Sequence, residues 1–131
     1  KIQRYWRSKE FNKNLLIFGW MPPHPTLFLK KEVFVKFGIY NTKFKISADY
    51  DFILRIFTKK LEIKHLQSVV CKMRLGGKSN VKFTNILIKS YEDYKALKIN
   101  KIGGIFSLIF KNLSKIIQFF PLLHKLKTRI L

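Results

Sequence analysis

The spacing of apolar residues changes several times along the chain, and each change marks an element. Val33, Phe34 and Phe37 recur at three and four, which predicts a short helix from Lys31 to Phe37 closed by Gly38. Ser47 then stands as an N-cap, with Asp49 and Asp51 in the first turn, where the helix dipole favours negative charge. The apolar residues Phe52, Ile53, Leu54, Ile56 and Phe57 carry that helix to about Lys59. Two further helices follow, from about Val81 to Lys98 and from Ile105 to Phe120. Gly103-Gly104 separates them and Pro121 stops the second.

Other stretches read as extended. Leu15 to Phe18 is an apolar run closed by Gly19. Met21-Pro22-Pro23-His24-Pro25 cannot be helix, because its prolines remove backbone donors and push their predecessors into extended geometry. Thr26 to Lys30 reads as a strand. Glu62 to Met73 carries strand-like pieces around Ile63, His65 and Val69-Val70-Cys71. Arg74 to Asn80 is a glycine loop. The expected fold class is therefore α/β, with a partial mixed sheet over residues 1–100 and basic amphipathic helices over 101–131.

Composition adds a partner class. The chain has 131 residues, is 47% hydrophobic, and carries 27 Lys and Arg against 7 Asp and Glu, for a net charge of +20. Such a chain attracts anions: nucleic acid, acidic lipid headgroups or phosphorylated substrates. An AT-rich coding bias toward Lys, Ile, Phe and Asn is the bland source of the same charge. The single cysteine, Cys71, rules out an internal disulfide and a cysteine-rich zinc site, and is expected to be a buried structural thiol. The basic start, Lys1 to Arg7, has no apolar stretch behind it and lacks an initiator Met. It reads as the start of a piece without a signal peptide. No run reaches the ~18 apolar residues of a membrane span.

In the tail, Ser107, Lys111, Ser114, Lys115 and Gln118 fall on one helical face, and Ile105, Phe106, Ile109, Phe110, Leu113, Ile116, Ile117 and Phe120 on the other. With His124, Lys125, Lys127 and Arg129 beyond Pro121, this predicts a helix lying on an anionic membrane, with Lys111 and Lys115 among the attracting cations. Packing of the apolar face on the domain is the competing reading.

Four motifs, taken together, carry a family resemblance. They are His24-Pro25-Thr26; the aromatic loop Gly38-Ile39-Tyr40-Asn41-Thr42-Lys43-Phe44; the acidic helix start Ala48-Asp49-Tyr50-Asp51-Phe52-Ile53-Leu54-Arg55; and Met73-Arg74-Leu75-Gly76-Gly77-Lys78-Ser79. Over about residues 15 to 100 the chain resembles the acceptor-side, C-terminal half of bacterial inverting family-two glycosyltransferases of the GT-A fold. The resemblance implies a mixed sheet, transfer of a sugar from a nucleotide donor to a glycan or lipid-linked acceptor in cell-surface glycan synthesis, and a peripheral place on the cytoplasmic face of the inner membrane.

An inverting transferase needs a carboxylate to take the acceptor's proton and cationic or N–H donors for the departing diphosphate. The resemblance makes Asp49 the base. It makes His24, Asp51, Arg55, Arg74, Gly76, Gly77 and Ser79 the substrate-binding set. Arg74 beside two glycines suits a phosphate. Both aspartates also suit a purely dipole-capping role, and Arg55 an intrahelical ion pair. The family's divalent metal, Mn or Mg, is expected in the complete enzyme. Its D-x-D motif is absent here: Asp49-Tyr50-Asp51 spells the pattern but opens a helix, where the family's motif ends a strand in the nucleotide-binding half. A chain without that half is expected to be inactive alone, as a fragment or as a truncated remnant. The rival from another class is a basic nucleic-acid-binding module. No motif of that class is present, and nucleic acid is not the expected partner.

Overall fold

A computed structural model describes residues 8, 10–73 and 83–118. Within them lie four α-helices: α1 (Lys31–Phe37), α2 (Ala48–Phe57), α3 (Phe83–Ile99) and α4 (Ile105–Gln118). Two single 3₁₀ turns, Lys13–Leu16 and His24–Thr26, precede them. There is no strand and no sheet among the described residues. The expectation of a mixed sheet is overturned.

The apolar run at Leu15 winds into a 3₁₀ turn, with the Asn12 side chain accepting from the Asn14 N–H at 3.0 Å. The expected strand at Thr26 begins instead as the end of a 3₁₀ turn, whose Thr26 and Leu27 N–H groups go to Pro23 and His24 carbonyls. From Leu61 to His65, half-buried and exposed residues alternate with the period of a strand, yet no ladder forms. Periodicity of two reports which side of an extended chain is covered; a strand also needs a neighbour to pair its backbone. Cys71 is half-buried and its neighbours Val69 and Val70 are exposed, so the expected buried thiol is not found.

The core is built around α2. Tyr50, Phe52, Ile53, Leu54 and Ile56 are wholly buried, and Asp51 and Phe57 nearly so. A helix apolar on nearly every side must be surrounded. Here α1 and α3 pack on it, and α4 packs on α3. Phe34 of α1 stacks on Phe52 at 5.2 Å between ring centroids. Phe11 and Trp20 close over Phe57, Phe11 edge-on at 4.8 Å. Ala96 and Leu97 of α3, Ile102 and Leu108 complete the interior.

The turn from α3 to α4 is tight. Lys101 takes a left-handed conformation (φ 54°), as does Gly103 (φ 51°). Ser107 in α4 donates its hydroxyl to the Ile17 carbonyl, and a Cβ on Gly103 would collide with that hydroxyl. On the other side, Gly19 (φ 70°) lies against the α4 backbone: a Cβ there would meet the Ser107 carbonyl and sit 2.6 Å from the Lys111 Cβ. Two missing side chains thus let α4 lie directly on the loop that follows the first 3₁₀ turn.

Candidate functional site

The approach to α2 is held by α3. The Glu92 carboxylate accepts three consecutive backbone N–H groups, from Lys45 at 2.8 Å, Ile46 at 2.8 Å and Ser47 at 2.9 Å. Burial pushes the Glu92 carboxyl upward, but these three donors together outweigh it and hold it below the usual carboxylate range. Ser47, expected to cap α2 with its side chain, makes no such bond. Its hydroxyl donates instead to Asp93 at 2.7 Å.

Asp93 is almost wholly buried between Ser47, Lys89 (3.4 Å) and Lys111 of α4 (2.8 Å). Burial again pushes its carboxyl up, and the two ammonium groups, Lys111 first, bring it below the ordinary value. Lys111 is itself buried, 2.9 Å from the centre of the Tyr50 ring; burial outweighs the attraction of Asp93 and holds its ammonium well below the usual lysine value. Its ammonium forms an ion pair with the Asp93 carboxylate at 2.8 Å. The Tyr50 hydroxyl is buried without a hydrogen-bond partner, and burial first, then Asp93, raises its pKa strongly.

Against this frame the residues singled out in the sequence separate. Asp51 is buried; Asn100 donates to it at 3.0 Å and Arg55 lies 3.8 Å away. Arg55 donates to the Ile39 carbonyl at 2.7 Å and lies over the Phe52 ring at 5.3 Å. It thereby fastens the aromatic loop to α2. On that loop Tyr40 shares a hydrogen bond of 3.0 Å with His24 and packs on Phe52 at 4.8 Å. The structure therefore joins Asp51, Arg55, Tyr40 and His24 in one run of contacts. Asp49 is half-buried at the start of α2, and its carboxylate accepts the Tyr50 N–H at 2.7 Å. At ~100° per residue it lies within roughly 60° of Phe52 and so on the side of α2 that faces Tyr40. Arg74, Gly76, Gly77 and Ser79 lie outside the described residues.

A metal ion is not accommodated by the Asp49-Tyr50-Asp51 pattern. Two residues apart on a helix, the carboxylates diverge, and Asp51 is consumed by Asn100 and Arg55. Among the described residues no three His, Cys, Asp or Glu converge as metal ligands do. The chemistry these residues offer is that of protein groups: a carboxylate at a helix start, and an imidazole and a phenol that share a hydrogen bond, the phenol packed on Phe52 of the same helix. An open cleft of about 440 Å³ lies between Lys43, Lys45, Tyr91 and Lys95; it takes in the end of the aromatic loop, Lys43 and Phe44, but none of the expected catalytic or substrate-binding residues.

The sequence reading gave no role to Glu92 or Asp93, and placed Lys111 among the cations that attract lipid, whereas Lys111 is buried against Asp93. The available signal was scarcity: with 7 acids among 27 cations, two adjacent acids mid-helix are a place where cations converge. Comparison with protein-family models, curated proteins and solved structures found no match.

Proposed function

We propose that this chain carries the acceptor-side carboxylate of a nucleotide-sugar glycosyltransferase, with Asp49 as the general base. The observation that supports this reading is the division of labour among the acids around α2. Asp51, Glu92 and Asp93 are each buried and engaged by two or more protein donors or cations. Asp49 is half-buried and, among the described residues, accepts one hydrogen bond, from the neighbouring N–H. A carboxylate engaged so lightly by the described residues, on a helix start fixed from below by Glu92, suits a group that takes a proton from an attacking hydroxyl. His24 and Tyr40 would orient that hydroxyl or its sugar ring. Donor binding would fall to Arg74 and its glycine loop.

The test is sugar transfer by the gene product, assayed in membranes with a panel of labelled sugar nucleotides and Mn²⁺. Asp49→Asn should lower kcat by about two or more orders of magnitude with little change in donor KM. Turnover near that of the parent in a folded Asp49→Asn variant refutes the assignment.

A further inference from the structure

Helix α4 sits on the protein the wrong way round for a core-packing helix. Among residues 105–115, where burial is described, the buried ones are Ser107, Leu108 and Lys111, two of them polar. Apart from Ser114, its exposed described residues are apolar: Phe106 is 75% exposed, and Ile105, Ile109, Phe110 and Leu113 are each about half exposed. The inward placement is fixed by particular bonds, Ser107 to Ile17 and Lys111 to Asp93, and by the close approach to Gly19. Hence the apolar stripe does not pack on the domain. Phe18, 54% exposed, meets Phe110 edge-on at 5.5 Å and extends the stripe onto the preceding loop. An apolar surface this continuous calls for an occupant.

We infer that this face docks on the surface of an anionic lipid bilayer, α4 lying flat with Phe18, Phe106 and Phe110 in the headgroup region. Charge selects the occupant. The chain bears +20, so a second copy is repelled and an anionic surface attracted. Lys13, in the turn before Phe18, and Lys101, in the turn before α4, are exposed. No described helix is long and apolar enough to cross a membrane, and 14 residues of α4 reach about 21 Å against a hydrocarbon core of about 30 Å. Lys111, expected from the sequence to attract lipid, is buried and takes no part. The inference stands without the glycosyltransferase reading.

The test is co-sedimentation of the whole chain with phosphatidylcholine vesicles, plain or containing about one-third phosphatidylglycerol. The parent chain should pellet with the anionic vesicles, less so as salt rises, and scarcely with the neutral ones. Phe106→Ser with Ile109→Ser should weaken the partition by about tenfold or more, since both side chains leave the apolar phase. Val35→Ser, equally exposed on α1, should leave it unchanged. Circular dichroism checks folding, and Phe106→Ser alone serves if the double variant does not fold. Equal pelleting of the parent and of every folded variant overturns the inference. So does a parent that ignores vesicles but forms a dimer in sedimentation velocity that Phe106→Ser abolishes, for then the occupant is a second copy.

Discussion

The Glu92 carboxylate accepts the backbone N–H of Ser47 at 2.9 Å across 45 residues of chain, and the N–H groups of Lys45 and Ile46 as well. One side chain of α3 thus satisfies three donors ahead of α2 that would otherwise be left in a partly dry place. Glu92→Gln keeps one acceptor oxygen and sets an amide N–H₂ against the remaining donors. We expect a loss of about 2–4 kcal/mol, the scale of two charge-assisted hydrogen bonds. Urea unfolding followed by circular dichroism measures it, and a loss below about 1 kcal/mol would show the loop to be held by other contacts.

The neighbouring aspartates should part company in stability. Asp51→Ala strands Asn100 and removes the Arg55 partner, and should cost about 1–3 kcal/mol. Asp49→Asn keeps the oxygen that accepts the Tyr50 N–H and should cost under about 1 kcal/mol, chiefly the dipole term. Thermal melts of the two variants decide this. Equal losses would mean that Asp49 is built into the fold as firmly as Asp51.

Lys111 and Asp93 should behave as a coupled pair. Lys111→Met alone removes a cation from beside a buried carboxylate and is expected to cost about 3 kcal/mol or more. In an Asp93→Asn background the same substitution should cost at least about 1 kcal/mol less, because no unpaired charge remains. Additive losses in that double-mutant cycle would show the contact to carry no energy. Tyr50→Phe, beneath the same ammonium, removes a buried hydroxyl without a partner and should be neutral or stabilising.

Acid should loosen the frame. Glu92 and Asp93 are both held below their ordinary values, so the folded state binds fewer protons than the unfolded one as pH falls past ~4. Their stabilisation is therefore complete above that region and is lost as pH falls through their lowered values. The Tm should hold roughly level from neutrality to pH ~5 and fall below pH ~4, and the Glu92→Gln variant should show a shallower acid limb. Tyr50 gives the opposite sign at the alkaline end: its raised pKa contributes stability below ~10 that is lost at higher pH.

The helices were legible because their signals are local. Val33, Phe34, Phe37 and Gly38 define α1 to the residue, and Ile105 after the glycine pair begins α4. A strand is a relation between two segments, and the alternation at Leu61 to His65 describes one of them. Hence the sheet was read where none forms among the described residues. The amphipathic pattern of α4 divides it into two faces. Which face turns inward depends on Asp93, an acid on another helix, and no property of α4 alone encodes it. In the same way Asp49, Arg55 and His24 stand out in motifs, whereas Glu92 acts on backbone atoms 45 residues away and leaves no local mark.

Gly103 lies on the surface, yet its missing Cβ is where the Ser107 hydroxyl reaches the Ile17 carbonyl. A saturation mutagenesis screen read for folding should therefore score this solvent-facing position as intolerant as Phe52 in the core, while Gly104, with open space beside it, accepts alanine. Surface design that ranks positions by accessibility would choose Gly103 first and lose the seating of α4.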